Sequence, residues 1–180
     1  MKKILITGGP STGKTSLVSE LKKHGFYCFD EISRELTQRM RNEGIEQYFL
    51  NNPIEFSKEL FKLRFKQYEQ EVDTFNFIVY DRGPIDVLAY LDFKKIEIPA
   101  DLINKSKEIS YDHIFILKPW EDIYVNDSER YETFRECINI HKSLLKTYKN
   151  FDLDLIDIPN SSIEERIKFV KRFIVNEKGA

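Results

Sequence analysis

Short apolar runs alternate with longer amphipathic stretches along this chain. The runs are Lys3–Thr7, Phe26–Phe29, Phe75–Tyr80, His113–Leu117 and Leu153–Ile158. They are rich in Ile, Phe and Leu and end at turn-type or charged residues. Continuous apolar runs of this length predict parallel strands buried on both faces. The stretches between them have helical periodicity. Lys14–His24 places Leu17, Val18 and Leu21 on one face. Glu31–Asn42 and Pro53–Val72 follow, the latter carrying Phe56, Leu60, Leu63 and Phe65 among many charges. Pro84–Phe93 opens with proline at a first helical position. Tyr131–Tyr148 sets Phe134, Ile138, His141, Leu145 and Tyr148 near a common stripe. Ser161–Val175 starts beside two serines, either of which suits an N-cap. Strands alternating with helices predict right-handed βαβ units. The expected fold is α/β, a five-stranded parallel sheet between two helical layers. No repeat, low-complexity tract or linker interrupts residues 1–180, so a single domain is expected.

Composition narrows the function. The 180 residues are 41% hydrophobic and 32% charged, which allows both a core and a polar surface. A formal charge of -2 argues against a nucleic-acid partner. Cys28 and Cys137 form neither a C-x-x-C pair nor a metal-ligand spacing, which argues against structural zinc and a disulfide framework. The opening apolar run is too short for a secretion signal, and no stretch reaches membrane-spanning length. A cytoplasmic chain without a membrane partner is expected, as monomer or homodimer.

The most specific signal is Gly8-Gly9-Pro10-Ser11-Thr12-Gly13-Lys14-Thr15, which satisfies G-x-x-x-x-G-K-[ST] between a strand and a helix. Glycines let the backbone curl so that successive N–H groups converge on phosphate oxygens. The following helix turns its positive end toward the same anion. Lys14 is expected at the β- and γ-phosphates and Thr15 on Mg²⁺, with Ser16 completing the nucleotide contacts. ATP or another nucleoside triphosphate, with Mg²⁺, is the expected cofactor. The alternative is a plain Gly-rich turn.

In open α/β sheets ligands sit beyond the carboxyl ends of the strands, so the residues following each apolar run are candidates. After the second run come Asp30, Glu31 and Arg34. Glu31 can take a proton from an acceptor hydroxyl, and Asp30 can hold Mg²⁺ through water. Helix capping by Asp30 and a surface Glu31–Arg34 pair are the alternatives. After the third run come Asp81 and Arg82. Asp81 suits a Walker-B-type metal site, and Arg82 suits an anionic or hydroxylated substrate, with Asp86 as its buttress. An Asp81 cap on the next helix is the alternative. After the fourth run, Glu121–Thr133 is charged and not clearly amphipathic, a lid candidate spanning about 119–135. Arg130 and Arg135 there can stabilise charge on a transferring phosphoryl group, or pair with Glu129, Glu132 and Glu136. The loop Pro159-Asn160-Ser161 can meet a nucleotide base, and Trp120 can stack on one or cover the lid hinge. His24, His113 and His141 are isolated and read as structural, Cys28 as a small buried hydrophobe, and the aromatics of Phe56–Tyr68 as packing that can also line a cleft.

These elements together resemble the P-loop nucleoside and nucleotide kinase group. More closely, the chain resembles a small bacterial ATPase/kinase-like family carrying an AAA label, related to the ribosylnicotinamide kinase domain of the bifunctional NAD-biosynthesis regulator. The resemblance rests on Gly8–Thr15, Asp30-Glu31-x-x-Arg34, Tyr80-Asp81-Arg82-Gly83 with Asp86 and Tyr90, and Asn126–Thr133 leading into Phe134–Tyr148. It implies strand order 2-3-1-4-5 and a lid after strand four. It also implies Asp81 or Glu31 near metal and acceptor, Arg82 at the acceptor, and Arg130 and Arg135 closing on phosphates. The second-region arginine finger of ring ATPases is missing, which argues against a hexameric motor.

Two functions fit these residues. One is a small-molecule kinase with the acceptor held by Glu31, Arg34 and Arg82. The other is a nucleotide-dependent regulatory NTPase read by a partner. Asn104-Lys105-Ser106-Lys107 lacks the aspartate of a guanine-reading N-K-x-D element.

Overall fold

The computed structural model describes residues 1–72, 74–124 and 132–175. Five parallel strands form one sheet: β1 (Lys2–Gly8), β2 (Tyr27–Phe29), β3 (Phe77–Asp81), β4 (His113–Leu117) and β5 (Ile156–Ile158), in the order β2-β3-β1-β4-β5. This is the order the family resemblance implies. β1 is central, with Leu5 opposite Tyr80 on one side and Ile114 on the other.

Alternate side chains of β1 point to opposite faces, and the core divides accordingly. Leu5 joins Ile78, Tyr80, Ile114 and Ile116 under α2 (Ser33–Asn42), α4 (Pro53–Glu69), α5 (Pro84–Phe93), α6 (Ala100–Ser106) and α7 (Phe134–Asn150). Ile4 and Ile6 join Val79, Phe115 and Leu117 beneath α1 (Lys14–Lys23) and α8 (Ile163–Val175). The result is three layers. Because all strands run one way, Gly8, Phe29, Asp81, Leu117 and Ile158 end at the same edge.

Several boundaries differ from expectation. α2 begins at Ser33 instead of Glu31. Glu31 accepts a hydrogen bond from the Ser33 N–H at 3.0 Å, so its side chain ends the loop before the helix. α4 stops at Glu69, and β5 starts at Ile156. The buried stripe of α7 is Cys137, Ile140, Leu144, Thr147 and Tyr148, and Leu145 is exposed. Reading Cys137 and Thr147 as core positions completes that i, i+3, i+7, i+10 pattern. α7 is capped by Thr133, whose Oγ1 accepts from Glu136 N–H at 3.2 Å while Glu136 accepts from Thr133 N–H at 2.8 Å. Short α3 (Tyr48–Asn51), α6 and a 3₁₀ turn at Glu121–Ile123 carry too few residues for periodicity to reveal.

Candidate active site

The loop between β1 and α1 has a backbone that alternates in hand. Gly8 and Gly13 take φ of +144° and +88°, and Ser11 takes +55°. Such alternation builds a concave nest of amides. Its carbonyls are tied elsewhere. Lys14 Nζ donates to Gly9 O at 2.5 Å, Cys137 Sγ to Pro10 O at 3.1 Å, and Arg166 Nη1 to Thr12 O at 3.1 Å. Three of the loop's carbonyl oxygens are thereby held by side-chain donors. α1 has neither a side-chain cap nor an acidic residue in its first turn, which keeps its positive end open. Close packing enforces the glycines: a Cβ on Gly9 would lie 2.8 Å from Cys137 Sγ.

Across the cleft, three elements converge on Glu31. Its Oε1 accepts from Arg64 Nη2 of α4 at 2.7 Å, and its Oε2 lies 2.5 Å from Arg82 Nε at the end of β3. Burial pushes the Glu31 carboxyl up, but the guanidinium charges of Arg64 and Arg82 outweigh it and bring it down to about 2. Glu31 therefore binds Arg64 and Arg82, not Arg34 as the surface-pair alternative supposed. Arg34 is exposed and lines the cleft. Asp30 is exposed and pairs with Lys22 at 2.6 Å, without capping α2.

Arg82 has φ of +71°, an uncommon conformation for a residue with a side chain. Asp86 supports it. Fully buried, it accepts from the Gly83 N–H at 2.8 Å, from Tyr148 Oη at 2.8 Å and from the Thr7 hydroxyl. Arg82 Nη1 lies 3.7 Å from the same carboxylate, and the guanidinium sits 5.4 Å from the Tyr90 ring centroid. The cap at the start of α5 is thus Asp86, so Asp81 is released from the capping alternative.

Asp81 is buried beside Lys14, and its Oδ1 has no hydrogen-bond partner among the described residues. Burial raises its pKa to about 6, against the charges of Lys14 and Arg82. Burial lowers Lys14 to about 7, and Arg82 adds to that effect. An orphaned buried carboxylate oxygen facing the same cleft as the Thr15 hydroxyl suits a hard cation. Among the described residues no group of three or more His, Cys, Asp or Glu forms a closed metal cage. Mg²⁺ needs none, since it takes most ligands from water and phosphate.

One cleft of about 950 Å³ holds these groups. It runs from Ser11–Ser16 past Asp81, Glu31 and Arg82 to Phe56, Leu60 and Leu91. At the loop end, Trp120 and Arg166 stack at 5.0 Å, beside Ser161 and Ser162. The proposed lid is partly described. Tyr124 and Glu132 are joined by a hydrogen bond, and the Tyr124 and Phe134 rings meet at 5.3 Å. Arg130 lies outside the described residues. Arg135 is exposed on the first turn of α7 and is not among the cleft-lining side chains. Sequence reasoning missed Arg64 and Arg166 as site residues. Each is an arginine inside an apolar stripe: Leu60, Arg64, Tyr68 on α4, and Ile163, Arg166, Val170 on α8. That placement was the available signal.

A family model described as an AAA domain matches residues 3–166. The chain belongs to this AAA-domain family. No curated protein matches. Among solved structures, this AAA-domain chain is similar to a deoxyadenosine kinase from M. mycoides with dCMP and dCDP bound, at TM-score 0.69 and 16% identity, over 97% of this chain and 99% of that one. It is similar to NadR in complex with NR at TM-score 0.71 and 15% identity, over 99% of this chain but 51% of NadR. A thymidylate kinase from Candida albicans aligns at 0.65 and 18%, over 98% and 92%. At these identities the likeness is one of fold. Among the described residues no helix is long and apolar enough to cross a membrane.

Proposed function

We propose that this chain is an ATP-dependent phosphotransferase that moves the γ-phosphoryl group to a small acceptor of the nucleoside, nucleotide or ribosylnicotinamide class. The observation that carries this reading is the placement of the Glu31–Arg82 pair in the same cleft as the phosphate loop, with that cleft continuing beyond it to Phe56, Leu60 and Leu91. A triphosphate-binding switch needs the loop but has no need of a cleft that continues past a carboxylate held between two guanidiniums. The structural likeness to a deoxyadenosine kinase, a thymidylate kinase and NadR with NR supports the same reading.

The roles follow from the chemistry at each position. The amides of Gly9–Thr15 and Ser16 cradle the phosphates, with Gly8 and Pro10 shaping the turn. Lys14 leaves the Gly9 carbonyl and moves onto the β- and γ-phosphates. Thr15 and Asp81 hold Mg²⁺, whose part is to neutralise phosphate charge. Arg82 spreads charge away from the transferring group, and Glu31 orients the acceptor. Arg34 stands at the acceptor end. Arg130 and Arg135 are assigned to lid closure, Arg135 needing that movement to reach the cleft. Trp120 and Arg166 flank the nucleotide base. Catalysis is chiefly positioning and electrostatics, because the loose transition state of phosphoryl transfer asks for little covalent help.

The test is an acceptor screen with ATP and Mg²⁺, reading ADP release. Strong stimulation by one acceptor class establishes the kinase. Slow hydrolysis indifferent to every acceptor favours the regulatory NTPase instead.

A further inference from the structure

Arg64 lies on α4 between Leu60 and Tyr68, with Phe61 and Phe65 beside it, and all five are buried. Packing alone would favour a leucine there, because a guanidinium at 4% exposure is unfavourable unless its head is paired. The head reaches two groups at once. Nη2 donates to Glu31 Oε1 at 2.7 Å, and Nη1 donates to the Gly83 carbonyl at 3.3 Å. Glu31 follows β2, and Gly83 follows Arg82 beyond the end of β3. One planar fork from the helical layer therefore joins the two strand ends. Without Arg64, the Glu31 carboxylate would keep the Ser33 N–H at 3.0 Å on Oε1 and Arg82 on Oε2. The Gly83 peptide is held at its N–H by Asp86 at 2.8 Å and at its carbonyl by Arg64, directly after the residue with φ of +71°. The same face of α4 lines the cleft, with Leu60 one turn before Arg64 and Phe56 two turns before. A body resting on Phe56 and Leu60 thus meets the helix that fixes Glu31.

We propose that Arg64 is a positioning residue for phosphoryl transfer, acting through Glu31, whose carboxylate it holds in the orientation that meets the acceptor. This rests on the phosphotransferase reading and adds a residue to it. The two contacts have separate parts. The charge-assisted bond to Glu31 sets the plane of the carboxylate. The bond to the Gly83 carbonyl fixes the guanidinium itself, so that the plane does not swing with the arginine stem. A carboxylate that is present but turned away aligns its acceptor poorly, and a misplacement of about 1 Å lowers the rate about 100-fold. Lysine is no substitute, because one ammonium on a flexible stem cannot span both groups in a fixed plane.

The experiment uses the purified full chain with Mg²⁺ and radiolabelled ATP, and reads transfer to a panel of ribo- and deoxynucleosides and their 5′-monophosphates. The compound that stimulates wild type most then serves for Arg64→Met, Arg64→Lys, Glu31→Gln and the double variant Arg64→Met/Glu31→Gln, each checked for folding by circular dichroism. In Arg64→Met, kcat should fall about 100-fold while the KM for ATP stays within about 3-fold of wild type. Arg64→Lys should also stay well below wild type, since charge alone does not supply the geometry. The double variant decides the route. It removes both members of the pair, so it should fold even where Arg64→Met does not. Its kcat should match that of Glu31→Gln within about 2-fold, because the effect of a positioning residue vanishes once the group it positions is gone. A double variant that falls well below Glu31→Gln overturns the proposal and makes Arg64 a structural arginine. Wild-type kcat in either single Arg64 variant overturns it too. No stimulation of the wild type by any compound overturns the phosphotransferase reading, and the proposal with it.

Discussion

Glu31 and Arg82 follow strands that are neighbours in the sheet, and their side chains meet across the strand ends with 2.5 Å between Oε2 and Nε. Parallel pairing of β2 and β3, with Phe29 opposite Tyr80, sets the two residues level with one another. Arg64 closes the group from α4. Removing the carboxylate leaves two buried guanidiniums without their shared partner. Glu31→Ala should therefore lower unfolding stability by about 3–5 kcal/mol, the range for one side of a broken buried pair. A urea denaturation midpoint indistinguishable from wild type would show that the pair is solvated in solution.

The same pair predicts a pH dependence. Glu31 titrates at about 2 in the fold against 4.5 for the ordinary carboxyl. A depressed carboxyl binds fewer protons folded than unfolded. Its stabilisation is therefore complete above 4.5 and is lost as pH falls toward 2. The difference in stability between wild type and Glu31→Gln should be largest at neutral pH and shrink over that window. A constant difference down to pH 2 would assign the stabilisation to packing.

Much of this arrangement could be read from the residues themselves. The phosphate loop announces itself because Gly and Lys at those spacings have few other uses. The Asp81-Arg82 element could be found because an acid directly after an apolar run marks a strand's carboxyl end. What stayed hidden depends on the third dimension. One partner of Glu31, Arg64, lies thirty-three residues away on α4, and spacing cannot indicate that. Spacing alone also allows a local pair with Arg34, which does not form with α2 starting at Ser33. Arg64 and Arg166 were hidden by their surroundings, since a run of aromatics on α4 and of aliphatics on α8 reads first as core.

Lys14 should report nucleotide binding through a proton. Burial lowers it to about 7, so between that value and the ordinary 10.5 the free protein carries it largely neutral. A lysine with a lowered pKa binds fewer protons in the fold, and a bound triphosphate reverses this by supplying negative charge. Nucleotide binding at mildly alkaline pH should then take up protons, with Lys14→Ala removing most of the uptake. Calorimetry in buffers of different ionisation enthalpy measures it. Equal heats in all buffers would mean that Lys14 is already charged.

Arg166 links the phosphate loop to Trp120. It donates to Thr12 O at 3.1 Å, stacks on the indole at 5.0 Å, and is buried. Arg166→Ala frees a loop carbonyl and one face of the ring. A hydrogen bond from a charged donor contributes about 1.5–3 kcal/mol, so ATP affinity should fall about 10- to 100-fold. The acceptor's own KM should stay near wild type, because Arg166 lies at the loop end of the cleft. An equal rise in both constants would place the defect in the whole cleft.

Asp86 offers the sharpest separation of fold from site. It is fully buried, takes hydrogen bonds from Thr7, Gly83 and Tyr148, and approaches Arg82. Thr7 belongs to β1, Gly83 to the turn after β3, and Tyr148 to α7, so one carboxylate ties three elements behind the phosphate loop. Asp86→Ala orphans three buried donors and should cost about 3–5 kcal/mol, enough to unfold a marginal domain. Thr7→Val removes a single bond at nearly constant volume and should cost only about 1–2 kcal/mol. Tyr148→Phe should cost a similar amount from the far side. The two milder variants remain folded, and they test whether the network serves Arg82. If it holds that residue at φ of +71°, both should lower kcat more than KM, although neither touches a ligand. Full activity in both variants would reduce the network to a structural tie.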